Sequence, residues 1–104
     1  MFHGYAGKVL TVDLTRGEIG HEVLDESEAR KYIGGPGLAA KMIWDKIKTD
    51  THALSPENFL IFMTGPLTGT PVPSANRYSV AGLSPLTGIW GEAHAGGTWG
   101  QQLK

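Results

Sequence analysis

Gly65 to Gly100 reads GPLTGTPVPSANRYSVAGLSPLTGIWGEAHAGGTWG and holds more than half of the fifteen glycines and four of the six prolines. No long helix runs through such a stretch, because proline removes a backbone donor and glycine gives up the most conformational freedom on ordering. What remains is short strands joined by tight turns, or backbone laid close against a ligand. The stretch contains an internal echo: Pro66-Leu67-Thr68-Gly69 recurs as Pro85-Leu86-Thr87-Gly88, 19 positions later. Each copy reads as a turn, with proline setting φ and glycine available for positive φ. Between the copies, Arg77 to Ala81 (RYSVA) predicts a strand, and Ile89 to Ala93 predicts another. The echo suggests two similar strand–turn units, and two copies fall short of a solenoid. Gln101 to Lys104 has the character of a helix beginning, and the chain stops there in mid-pattern, as a truncated piece does.

The first half is patterned differently. Lys8 to Leu14 (KVLTVDL) alternates apolar and polar residues with β-branching, the pattern of a half-buried strand. Thr15-Arg16-Gly17-Glu18 predicts a turn and Ile19 to Leu24 the returning strand of a hairpin. Asp25, followed by Glu26 and Glu28, predicts a helix start, which stops at Gly34-Gly35. Pro36 opens a second helix, on which Leu38, Met42, Ile43, Trp44 and Ile47 are read as one apolar core face. Thr49 to Asn58 is a polar loop. Phe59 to Met63 (FLIFM) reads as a strand buried on both faces. The fold class is therefore α+β, antiparallel strands with two helices, in one small domain.

Nine Lys and Arg against ten Asp and Glu leave a net charge of −1, which argues against nucleic acid as a partner, since phosphate-backbone binding draws on a clustered basic surface. The chain has no cysteine, so disulfides, thiolate metal sites and iron–sulfur ligation within it are excluded. Met1 to Lys8 lacks the pattern of a signal peptide, and no stretch approaches the roughly 18 apolar residues of a membrane span. A soluble, cytoplasmic protein that binds neither nucleic acid nor membrane is expected.

Two constellations bear on chemistry. Asn76-Arg77 stands between glycine- and proline-rich walls, and arginine offers a planar fork of donors suited to phosphate or carboxylate. Its ordinary alternative is a surface arginine. His94-Ala95-Gly96-Gly97 follows a candidate strand and precedes a candidate helix, where paired glycines let backbone N–H groups approach an anion. It matches neither a GxGxxG fingerprint nor a P-loop. His94 reads first as a packed loop residue, with general base and metal ligand as alternatives. Glu92 lies two residues before it, so on a strand the two share a face, in a plain hydrogen bond or an acid/base pair. His3, His21 and His52 fit no metal-ligand spacing. These residues amount to a binding surface for an anion, with no catalytic set.

Several spaced motifs carry a family resemblance: Gly7-Lys8-Val9-Leu10 through Val12-Asp13-Leu14-Thr15, Tyr32-Ile33-Gly34-Gly35, Leu54-Ser55-Pro56-Glu57-Asn58, Gly65-Pro66-Leu67-Thr68-Gly69-Thr70, Asn76-Arg77-Tyr78, Ser84-Pro85-Leu86-Thr87-Gly88 and Gly96-Gly97. Taken in this order they resemble the start of the aldehyde:ferredoxin oxidoreductases, over essentially the whole chain. The resemblance implies a protein several times longer, with residues 1–104 forming the first half of a twofold pseudo-symmetric β base. Two pyranopterins sit on that base in the family, their dithiolene sulfurs holding one tungsten. Molybdenum is not distinguished, because the protein touches only the pterin. A [4Fe-4S] cluster is ligated by cysteines of later domains, and aldehydes are oxidised to carboxylates with ferredoxin as electron acceptor. Relatives include a reductase of an aromatic acyl-coenzyme A.

Carried over residue by residue, the resemblance implies that Arg77, with Asn76 in the same motif, contacts the pterin phosphate. His94 falls where one branch of the family has asparagine, whose backbone carbonyl helps hold a magnesium ion bridging the two pterin phosphates. A backbone ligand tolerates the different side chain. Ala95, Gly96 and Gly97 match the stretch that lines the pterin. The substrate pocket and acid/base residues of the family lie beyond Lys104, so no catalytic residue is assigned. Two other readings stand beside this one. The first is a free-standing anion- or cofactor-binding module without catalysis. The second is a structural half-domain that completes its sheet against a second copy, as a homo-oligomer.

Overall fold

The computed structural model describes residues 3–104. The chain begins with a hairpin, β1 (Lys8–Asp13) and β2 (Glu18–Val23), closed by a turn in which the Asp13 carboxylate accepts from the Thr15 and Arg16 amides at 3.0 and 3.1 Å. Two helices follow, α1 (Glu26–Tyr32) and α2 (Gly35–Lys46). A three-stranded antiparallel sheet comes next, in the order β3 (Ile61–Thr64), β4 (Tyr78–Leu83) and β5 (Trp90–Ala95), and a short α3 (Trp99–Leu103) ends the chain. The α+β class and the antiparallel pairing are as expected from sequence, with α3 as a third helix beginning two residues earlier than the predicted start.

Local chemistry sets the helix boundaries. The Asp25 side chain accepts from the Ser27 amide at 2.7 Å, which satisfies one of the open donors of the first turn of α1. Between the helices Ile33 is held at φ 69°, and its carbonyl accepts from the Tyr5 hydroxyl at 2.6 Å, tying the N-terminal segment to this corner. Pro36 stands in the first turn of α2, where its missing N–H costs nothing.

The core lies between α2 and one face of the three-stranded sheet. Leu38 and Ala39 of α2 pack on Met63 of β3 and Ala81 of β4, with Met42, Ile61 and Trp90 around them. Gly82 of β4 permits close packing: a Cβ there would meet the Phe59 carbonyl oxygen at 2.6 Å.

Three sequence expectations are corrected. Trp44 is 82% exposed. At about 100° per residue it lies roughly 170° around α2 from the centre of the Leu38–Ala39–Met42–Ile43 stripe, so it points away from the core. The FLIFM run is not buried on both faces: Met63 is buried while Phe62 is 45% exposed, because α2 covers one side and, among the described residues, the short α3 lies on the other. The first hairpin is not half-buried in the expected sense. Leu10, Val12, Ile19 and Val23 share one face, and nothing among the described residues covers it.

Candidate functional site

The second Pro-Leu-Thr-Gly copy closes the β4–β5 hairpin. The Ser84 hydroxyl accepts from the Leu86 and Thr87 amides, the Gly88 amide donates to the Ser84 carbonyl at 2.8 Å, and Gly88 sits at φ 74°. This turn fixes a register running from Leu83 opposite Trp90 to Tyr78 opposite Ala95. One step past the last rung, Arg77 emerges on one side and Gly96 on the other. The two constellations picked from sequence are thereby brought to the same sheet end.

The first copy builds the support below Arg77. Gly69 takes φ 78°, and its amide donates to the Asn76 side-chain carbonyl at 3.3 Å. Thr68 is 3% exposed. Its hydroxyl accepts from the Gly65 amide and donates to the Arg77 carbonyl, both at 3.1 Å. The loop is thus stitched to the turn at consecutive residues, by the side chain of Asn76 and the main chain of Arg77. The echo is therefore not two equivalent strand–turn units. One copy closes a hairpin, while the other braces a loop.

Ser74, Asn76, Arg77, Gly96, Gly97 and Thr98 surround an open concavity of about 340 Å³. Among the described residues no hydrogen bond or ion pair engages the Arg77 guanidinium, and the side chain is exposed. Gly97 adopts φ 91°, and a Cβ on either Gly96 or Gly97 would meet nothing within 4 Å, so this wall is bare backbone facing open space. An uncommitted fork of donors opposite exposed main chain fits a phosphate-bearing ligand.

His94 is on β5 rather than in a loop, because the ladder extends past the predicted end of the strand. Its imidazole is committed: Nδ1 lies 2.9 Å from the Ser79 hydroxyl and Nε2 3.6 Å from a Glu92 carboxylate oxygen, as the shared face predicted. The other Glu92 oxygen accepts from the Trp90 indole at 3.2 Å. Among the described residues no three His, Cys, Asp or Glu side chains form a metal site. Ala95 ends the strand and leads into the glycine wall. Ser79 and Lys104 carry no sequence signal as contributors here, whereas Thr68 is hinted at by its place in the echo.

A family model described as the aldehyde ferredoxin oxidoreductase N-terminal domain matches residues 9–104. The chain belongs to the aldehyde ferredoxin oxidoreductase family. The tungsten-containing aldehyde ferredoxin oxidoreductase of Pyrococcus abyssi is 45% identical over 101 residues, covering 97% of this chain and 17% of the relative. Its counterpart in Pyrococcus furiosus is 42% identical over 102 residues, covering 98% of this chain and again 17% of the relative. Among solved structures, the BamBC active-site complex of benzoyl-coenzyme A reductase, determined with 1,5-dienoyl-CoA, contains a chain that superposes with a TM-score of 0.96 at 40% identity. That match covers 99% of this chain and 16% of the other. This family member thus spans about a sixth of the relatives it matches. No helix among the described residues is long and apolar enough to cross a membrane.

Proposed function

We propose that this chain is the N-terminal part of the pterin-binding domain of a tungsten-dependent oxidoreductase, one that oxidises aldehydes to carboxylates and passes the electrons to ferredoxin in the cytoplasm. The observation that carries this reading is the uncommitted Arg77 guanidinium facing the bare Gly96–Gly97 backbone. Arg77 binds the pterin phosphate through its fork, and Asn76 holds the loop that presents it. Ala95, Gly96 and Gly97 would let the cofactor approach the main chain, and the His94 carbonyl would be a ligand for a magnesium ion bound with the cofactor. When bound, the bis-pyranopterin supplies a tungsten centre that accepts two electrons; molybdenum suits the same protein surface. The [4Fe-4S] cluster belongs to later domains, since this chain has no cysteine.

Two features support membership of a larger body. The chain matches 17% of its relatives' length, and the apolar face of the first hairpin is the kind of surface a further domain covers. A second reading, a fragment of an aromatic acyl-coenzyme A reductase, is favoured by the TM-score of 0.96 to the benzoyl-coenzyme A reductase chain.

The test is made in the native polypeptide that carries this segment. Arg77→Ala should lower pterin and tungsten per polypeptide by roughly tenfold or more, the scale of losing charge-assisted hydrogen bonds, with Arg77→Lys retaining part of the content. A soluble, folded Arg77→Ala protein with full cofactor content refutes the assignment. Turnover of aldehydes against aromatic acyl-coenzyme A thioesters then decides between the two oxidoreductase readings.

A further inference from the structure

The first Pro-Leu-Thr-Gly turn directs three backbone carbonyls to a single point. The Lys104 ammonium donates to the carbonyl oxygens of Gly65 at 3.1 Å, Pro66 at 2.9 Å and Thr68 at 2.7 Å. An ammonium has three protons, and here each has its own acceptor. The aliphatic stem runs along a small cavity of about 70 Å³, shared with Tyr5, Leu24, Leu38 and Met63. Burial pushes the amine below the ordinary lysine range, so the carbonyls replace water that the group has given up.

The bonds continue toward the site. Thr68 gives its carbonyl to Lys104 and its hydroxyl to the Arg77 carbonyl, and the adjacent Gly69 amide holds Asn76. The helix that carries Lys104 also packs on the same knot. A Cβ on Gly100 would lie 3.2 Å from the Asn76 carbonyl oxygen and 3.4 Å from the Thr68 methyl. Without a cation, three converging carbonyl dipoles repel one another and the turn opens to find other donors.

We propose that Lys104 is a positioning residue, whose ammonium gathers the carbonyls of Gly65, Pro66 and Thr68 and so fixes the platform that presents Asn76 and Arg77. Its consequence for cofactor loading rests on the reading of Arg77 given above, but the platform itself is tested without any cofactor. Lysine is required there in particular. The planar fork of arginine cannot aim three donors at one small cage of carbonyls.

The experiment is hydrogen exchange by mass spectrometry on the cofactor-free native polypeptide, read in the peptide that spans residues 64–70. Lys104→Ala should exchange roughly tenfold faster or more in that peptide, and Lys104→Arg should not restore protection. Ethylammonium should return the Lys104→Ala protein toward wild-type protection, whereas tetramethylammonium at equal concentration, with no N–H donor, should not. Unchanged exchange in Lys104→Ala overturns the proposal, and so does equal rescue by the two ions. If Lys104→Ala does not fold, Lys104→Met keeps the stem and removes only the charge, and wild-type exchange in that variant overturns the proposal equally. Arg77→Ala that loads cofactor normally refutes the earlier reading alone, because the exchange pattern of the Lys104 variants is measured independently of it.

Discussion

Replacing Thr68 by valine removes one hydroxyl and little volume, which makes it a sharp probe of how the site loop is held. The hydroxyl makes two bonds of 3.1 Å, to the Gly65 amide and the Arg77 carbonyl, and the residue is 3% exposed, so water cannot readily take its place. Each backbone group left unpaired costs about 1–3 kcal/mol. Gly65 is half-buried and Arg77 exposed, so the lower end is taken for each group and the loss is about 2 kcal/mol. Thr68→Ser keeps both bonds and loses one methyl, for about 1 kcal/mol. Valine should therefore be the worse substitution, although by volume it is the more conservative one. Because about 1.4 kcal/mol is a factor of ten, exchange of the Gly65 and Arg77–Tyr78 amides should accelerate roughly thirtyfold in Thr68→Val and about fivefold in Thr68→Ser. Hydrogen exchange measures this local opening without assuming that a large enzyme unfolds in two states. If Thr68→Ser opens the segment more than Thr68→Val, packing rather than hydrogen bonding holds Arg77, and the reasoning fails.

Two further outcomes follow from single contacts. Gly82→Ala sets a Cβ 2.6 Å from the Phe59 carbonyl oxygen, a backbone atom that cannot rotate away, so thermal unfolding should show a loss of about 2–3 kcal/mol; an unchanged melting temperature would contradict the close approach. The Asp25 carboxyl is held below the usual aspartate range, first by its hydrogen bond to Ser27. A folded pKa lowered in this way contributes stability above the unfolded value, and that contribution is lost as pH falls through the folded pKa. Protection factors in residues 26–30, taken relative to the intrinsic exchange rate at each pH, should therefore fall on acidification below roughly pH 4, whereas Asp25→Asn should respond much less over the same range.

The features legible in the sequence are those whose causes are local. Asp25 followed by Glu26 and Glu28 marks a helix start, and Pro36 after Gly34-Gly35 opens a helix, each for reasons confined to one turn. The two turn glycines, Gly69 and Gly88, take the positive φ their motif predicts. Trp44 was legible too, and was misread: its angle around α2 excludes it from the stripe that Leu38 and Met42 define. The outward face of the first hairpin was not legible. Alternation shows that Leu10, Val12, Ile19 and Val23 share a face, but which face finds a partner depends on what packs there, and among the described residues nothing does. The same holds for Phe62, which meets the Trp99 ring at 5.5 Å and is still 45% exposed.

The site shows how far local information reaches before long-range contacts take over. Arg77 and Gly96 are 19 residues apart, yet a hairpin centred on Pro85 to Gly88 pairs Leu83 with Trp90 and, counting outward, must pair Tyr78 with Ala95. Their meeting is therefore a consequence of one turn, since side chains alternate with period two and a slip of one residue would carry each to the opposite face. The two contacts of the His94 ring, a hydrogen bond to Ser79 across the ladder and a 3.6 Å approach to Glu92 two residues before it, come from the same register. The support beneath Arg77 has no such route from sequence. Lys104 reaches carbonyls 36 to 39 positions away, and Thr68 meets Arg77 across nine. No periodicity encodes those distances; the Lys104 contacts exist only once α3 has docked beside the turn. The candidate-site residues of this chain thus divide by cause: the register of a hairpin brings Arg77 and Gly96 together, and tertiary contacts decide how firmly they are held.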